Sequence, residues 1–119
     1  MSKQFKFLDW NIYVDSKALY TRILSLANNL PREQRFEITS QLLRACLSVS
    51  LNIAEGSGKS SDKDLPRYLD ISLGSLYETL ACLDILSNNK QIDGDTFISI
   101  SAEISSLASR IGGFKKSLL

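Results

Sequence analysis

Four stretches of the chain repeat apolar residues in steps of three and four. The first carries Ile12, Leu19, Ile23, Leu26 and Leu30, with Ser16 in the gap. The second carries Ile38, Leu42, Ala45 and Val49, and its stripe continues through Asn52 and Gly56. The third has Leu69, Leu73, Leu76, Leu80 and Leu83, and the fourth Phe97, Ile100, Ile104, Leu107, Ile111, Phe114 and Leu118. This spacing puts each set on one stripe of an α-helix, the face that a bundle helix buries. No segment sustains the alternation of a strand.

Three breaks separate the stretches: Leu30-Pro31, the Ser-rich run around Gly56 and Gly58, and the run from Asn88 and Asn89 to Gly94. Helices are expected over about 12–29, 32–56, 62–87 and 94–118. Ser61 with Asp64, or Asp62 alone, supplies a cap for the third. Pro66 is tolerable only in the first turn, so this helix starts no earlier than about Ser61. Asp93 and Asp95 give the fourth a cap and negative charge at its start. Gly56 reads as the left-handed residue that closes the second helix. Residues 1–10 hold Phe5, Phe7, Leu8 and Trp10 and are expected to pack as an N-terminal arm. Short loops between four helices predict an all-α fold. It is a single up-down-up-down antiparallel four-helix bundle over 1–119.

The second segment has more apolar surface than one face needs. Leu43, Cys46, Leu47, Leu51, Ile53 and Ala54 form a second set, leaving a narrow polar ridge of Gln41, Arg44, Ser48, Asn52 and Glu55. A helix apolar nearly all round is buried a second time, which predicts self-association. In the third segment Ser72, Gly74, Ser75, Thr79, Ala81 and Cys82 are small enough for a close helix approach. The fourth is Ser-rich off its stripe, at Ser99, Ser101, Ser105, Ser106 and Ser109. In an antiparallel hairpin folded near Lys59, Arg44 falls level with Glu78, and Glu55 with Lys63 or Arg67. An Arg44–Glu78 ion pair is expected, with Gln41 or Ser75 beside it, and a second pair from Glu55. These are read as register-fixing contacts. Glu55 and Glu78 are turns apart and cannot act as a paired-carboxylate site.

Composition narrows the chemistry. The 119 residues are 44% hydrophobic and 23% charged, with a formal net charge of +1. Overall charge selects no partner, so nucleic-acid binding would need a local patch. The chain has no His, which excludes Ser-His-Asp, Cys-His and zinc-His arrangements. Cys46 and Cys82 lie in apolar surroundings and read as buried thiols. The first residues lack a signal-peptide core, and no run approaches the roughly 18 apolar residues of a membrane span. A cytoplasmic protein without a membrane anchor or cofactor is expected. Gly58-Lys59-Ser60 copies the end of a phosphate loop, but the first glycine of that motif would fall at position 53, which is Ile53, after a helix instead of a strand. A nucleotide site is therefore not expected.

Gln41-Leu42-Leu43-Arg44-Ala45 and Ser48-Val49-Ser50-Leu51-Asn52-Ile53-Ala54-Glu55-Gly56 resemble the signature of bacterial proteins of the 23S ribosomal RNA intervening-sequence group. Tyr68 to Glu78 is similar to that family's third-helix motif, and Leu30-Pro31 fits its first turn. The matching positions are Gln41, Arg44, Ser48, Asn52, Glu55, Gly56, Gly74, Ser75 and Glu78. The resemblance implies a ring-shaped homopentamer and carries over no catalytic residue. It also implies a relation to the accessory proteins of diversity-generating retroelements, which bind a reverse transcriptase and nucleic acid through a basic surface.

This chain is less basic than those accessory proteins. Its candidate contacts to RNA or DNA are Lys3 and Lys6 on the arm, Arg32 and Arg35 after the proline, Lys59 in the loop, and Arg110, Lys115 and Lys116 at the C-terminal end. Two readings follow: a non-enzymatic nucleic-acid or ribonucleoprotein accessory factor, and an oligomeric scaffold that binds a protein such as a reverse transcriptase without touching nucleic acid. An enzyme is not expected.

Overall fold

The computed structural model describes residues 3–61 and 63–119; the side chains at positions 3 and 32–36 lie outside the described set. A 3-10 helix, Lys3–Asp9, leads into α1 (Asn11–Asn28), α2 (Arg32–Ser57), α3 (Asp64–Asn88) and α4 (Gly94–Ser117). No strand occurs among the described residues. Each α-helix packs on the next in chain order, α4 closes onto α1, and the α2–α3 contact is the most extensive. Cross-helix pairs fix the antiparallel sense: Gln41 with Glu78 and Ser48 with Ser75 between α2 and α3, and Asp15 with Arg110 and Arg22 with Glu103 between α1 and α4. The molecule measures 44 × 23 × 21 Å, the length of one layer of parallel rods of this size.

The core is one column along the bundle axis. Leu19, Ile23, Leu42, Val49, Ile53, Leu69, Leu76, Leu83, Ile100, Leu107 and Ile111 are fully buried. Burying a side chain of this kind contributes about 1.5–3 kcal/mol, so the four stripes supply the main driving force. Among the described residues, Ser16, Ser50, Ser72 and Thr79 are the buried polar ones. Each is satisfied: Ser16 Oγ bonds Ser50 Oγ at 2.7 Å, Ser72 donates to the Val49 carbonyl at 2.9 Å, and Thr79 to that of Ser75 at 2.8 Å. Their small size lets the helix axes draw together at these levels.

The helix ends differ from expectation in two places. Gly56 is not left-handed, since no glycine has positive φ among the described residues. α2 continues to Ser57, and Gly58 caps it at φ −88°. α3 starts at Asp64 without a side-chain cap; Ser61 Oγ instead accepts from the Lys63 amide at 3.2 Å, and Asp62 lies outside the described residues. Pro66 falls in the first turn of α3, where its missing N–H costs nothing. Asp93 caps α4 by accepting from the Thr96 amide at 2.7 Å, and that bond holds its carboxyl below the ordinary range.

The arm packs on α1 and α2. Phe7 meets Tyr13 edge-on at 4.9 Å between ring centroids, and Trp10 meets Phe114 at 4.9 Å. Phe5 does not join them and is 49% exposed.

Candidate functional site

The α2–α3 seam collects most of the polar residues singled out by the sequence. The Asn52 side-chain amide donates to the carbonyl and the hydroxyl of Ser48, both at 2.9 Å, and Ser75 Oγ donates to Ser48 Oγ at 2.8 Å. Further along the seam, Gln41 donates to Glu78. The structure thus joins Ser48, Asn52 and Ser75 in one cluster and Gln41 and Glu78 in another. Arg44 stays outside both. The expected Arg44–Glu78 ion pair is absent, because Gln41 occupies the carboxylate and Arg44 lies on the outer side of α2, exposed and without a partner among the described residues. The expected pair from Glu55 to Lys63 or Arg67 is also absent. Glu55 meets Lys59, just past the end of α2, at 3.5 Å, while Arg67 meets Asp64 at 3.7 Å.

Gly56 has a packing role at the end of this seam. A Cβ there would lie 2.7 Å from Tyr68 Cβ and 3.0 Å from Leu65 Cδ1. The glycine is what lets α3 pass so close to α2. Lys59, the lysine of the Gly-Lys-Ser run, sits over the Tyr68 ring at 5.1 Å from its centroid. The run follows a helix, so its backbone forms no phosphate cradle.

Because the helices alternate, the start of α1, the α2–α3 connection and the last turns of α4 share one end of the bundle. Lys6, Lys59, Lys63, Arg67, Arg110, Lys115 and Lys116 gather there against Asp9, Asp15, Glu55, Asp64 and Asp70. The opposite end has Arg22 and Lys90 against Glu37, Asp84, Asp93, Asp95 and Glu103. Among the described side chains, then, charge divides along the axis into a more basic end and a more acidic end. At the basic end Arg110 pairs with Asp15, and Lys115 with Asp70 at 2.7 Å. Lys6, Lys63 and Lys116 are exposed and have no acidic partner among the described residues. The side chains of Lys3, Arg32 and Arg35 lie outside the described set.

A third feature was not singled out as a site by the sequence. Leu73, Gly74, Tyr77 and Leu80 of α3 and Ser101, Ser105 and Ala108 of α4 line a surface groove of about 730 Å³. Small residues on both walls leave it open. Tyr77 stands on its rim, 71% exposed. The Ser101 hydroxyl is closed off from solvent and has no hydrogen-bond partner.

On α2 the second apolar set divides. Cys46 and Ile53 belong to the core, whereas Leu47 is 41% and Leu51 56% exposed. Burial pushes the Cys46 thiol up to about 12, with the Glu103 carboxylate adding to the shift; Cys82 is raised by the same desolvation and by Glu78. Both are free, buried thiols. No group of side chains with metal-binding geometry occurs among the described residues, and none of their helices is long and apolar enough to cross a membrane.

The same architecture is seen in a crystal structure from Bacteroides thetaiotaomicron VPI-5482, described as a protein with unknown function from the S23 ribosomal protein family. It superposes with a TM-score of 0.82 at 26% identity, over 88% of this chain and 98% of that one. Among the curated proteins no sequence matches. The family described as 23S rRNA-intervening sequence protein matches residues 9–113, a span from the end of the N-terminal arm almost to the end of α4. With the four-helix architecture and the Ser48–Asn52–Ser75 seam inside that span, the chain belongs to the 23S rRNA-intervening sequence protein family.

Proposed function

We propose that this protein is a non-enzymatic, self-associating cytoplasmic bundle that binds structured nucleic acid through its basic end. The observation that carries this reading is the division of charge along the bundle axis. A phosphate backbone attracts local charge, so a concentrated basic end serves where a net charge of +1 would not. The family's link to ribosomal RNA makes RNA the first ligand to test. The four ion pairs at this end, Glu55–Lys59, Asp64–Arg67, Asp15–Arg110 and Asp70–Lys115, are surface pairs, each worth about 0–1 kcal/mol. Phosphates can displace those carboxylates at small cost. Assembly of several copies about one axis, as in a ring-shaped pentamer, would repeat the basic end around it.

The test is retardation of a structured RNA hairpin and of duplex DNA at low and moderate salt. Retardation that weakens steeply with salt, and is weakened on reversing Lys6, Lys63 and Lys116 to Glu, is the expected result. No retardation at low salt would remove this reading. A second reading, an oligomeric scaffold for a protein partner such as a reverse transcriptase, draws support from the exposed Ile98 (66% accessible) on α4. It predicts capture of the protein partner after nuclease treatment.

A further inference from the structure

At the basic end, the close of the N-terminal arm, the start of α1 and the last turns of α4 frame a pocket apart from the α3–α4 groove. Its volume of about 400 Å³ falls in the roughly 300–1,000 Å³ range of small-ligand sites. Asp9, Trp10, Asn11, Ile12, Arg110 and Phe114 line it. The Trp10 and Phe114 rings meet at 4.9 Å but are inclined by 46°, so they are not stacked flat on each other. Both are half-buried, and both contribute surface to the pocket. Ile12 beside them is buried and apolar. Asp9 and Asn11 flank Trp10 in the chain. They are exposed and make no side-chain hydrogen bond or ion pair among the described residues. Arg110 adds a cation, held in place by Asp15. The pocket thus joins aromatic surface, an unfilled carboxylate, an unfilled amide and a positive charge.

We infer that this pocket receives an unpaired guanine base of an RNA, stacked on Trp10 and read by Asp9. This rests on the nucleic-acid reading above and names the element that is recognised. Aromatic side chains hold single-stranded bases by stacking, and polar groups beside them read the exposed base edge. An ionised carboxylate only accepts hydrogen bonds, through two oxygens. Guanine presents two adjacent donors on its pairing edge, N1–H and the 2-amino group, which match those oxygens. Adenine and cytosine each place a ring acceptor beside their single amino donor, so a carboxylate meets a lone pair there. Uracil sets its one donor between two carbonyls. The Asn11 amide is left to donate to guanine O6. In a duplex this edge is occupied by cytosine, so the base must come from a loop or a bulge. Arg110 on the pocket wall, and Lys116 two residues beyond Phe114, supply charge for the flanking phosphates. The carboxylate at Asp9 selects the base, and the cations around it hold the backbone.

Trp10 is the only tryptophan of the chain, so its fluorescence reports on this pocket directly. The test uses RNA hairpins identical except for one loop nucleotide, which is guanosine, inosine, adenosine or cytidine, and free GMP and AMP as separate arms. The guanosine hairpin is expected to bind most tightly and to quench Trp10. Inosine lacks the 2-amino donor and should fall between guanosine and adenosine. Asp9→Asn, at an exposed position that leaves the core untouched, should reduce the preference for guanosine over adenosine about tenfold. It should leave the salt dependence of retardation unchanged. Equal binding of all four hairpins overturns the pocket while the basic-end reading stands. A guanosine preference that survives Asp9→Asn overturns the role of Asp9. Quenching by GMP with no retardation of any hairpin overturns RNA as the source of the base, and the basic-end reading with it. Neither quenching nor retardation overturns both.

Discussion

Gly56 and Cys46 show how single residues constrain the α2–α3 pair. Gly56 is helical, so its value lies in the missing side chain. Gly56→Ala brings a Cβ within 2.7 Å of Tyr68 Cβ, a stiff atom fixed to the backbone of α3. The gain in helix propensity is smaller than the cost of forcing two helices apart. The variant should lose about 1–3 kcal/mol, as overpacked sites do, measured as a lower midpoint in urea. Cys46 faces the core, and its thiol is raised from 9.0 to about 12 by burial. The folded state thus keeps a proton that the unfolded chain releases above its ordinary value. The Cys46 contribution to stability is present in full below pH 9 and is lost as pH rises from there towards 12. Cys46→Ala should flatten the fall of unfolding free energy over that window, measured by urea titrations at a series of pH values. A slope equal to wild type would contradict the assignment. The sequence located both residues but read the wrong reason for Gly56. A glycine near a helix end is a turn signal by default, and only the position of Tyr68 on the next helix reveals the close approach.

Helix ends and seams show the same division at the scale of elements. Lys90 is the one non-glycine residue with positive φ among those described, at 60°. The Gln91 amide reaches back to the Leu86 carbonyl at 2.8 Å, closing α3 in the manner usually served by glycine at the left-handed position. Lys90→Gly should therefore stabilise the protein by about 1 kcal/mol, measured as a rise in melting temperature. No decrease in stability is expected, since the lysine makes no ion pair. The break itself was legible in Asn88, Asn89 and Gly94, but not which residue takes the strained conformation. The seam was legible by height and not by angle. Hairpin arithmetic puts Arg44, Gln41 and Glu78 near one level. Rotation about the α2 axis decides that Gln41 reaches the carboxylate and Arg44 turns outward. Likewise Asn52 was placed on the core stripe, whereas Ile53 takes that place and Asn52 lies half-buried at its edge, donating to Ser48. A shift of one residue around a helix changes which of two adjacent side chains is inside, and periodicity of three and four does not resolve it.

For the whole molecule, the proposed nucleic-acid reading turns on the distribution of charge along a 44 Å axis. Each phosphate contact contributes about 0.7–0.9 to the slope of log affinity against log salt. Reversal of Lys6, Lys63 and Lys116 should therefore reduce that slope by about 2–3, measured by retardation across a salt series. An unchanged slope would place the nucleic acid elsewhere. Reversing Asp84 and Asp95 to Lys at the other end should leave binding through the basic end intact. The amino-acid sequence alone determined that the chain is helical, where its helices break, and which family it resembles. Those properties depend on neighbours a few residues apart, and apolar spacing, proline and glycine record them directly. Tertiary structure decided which members of the second apolar set on α2 remained outside, that Gly56 serves packing, and that the charges of the described side chains divide between opposite ends. It also created the α3–α4 groove from residues that look like ordinary solvated serines in isolation. These features arise from residues far apart in the chain and from the rotation of each helix about its own axis. Packing sets that rotation, and the order of residues along one helix does not encode it locally.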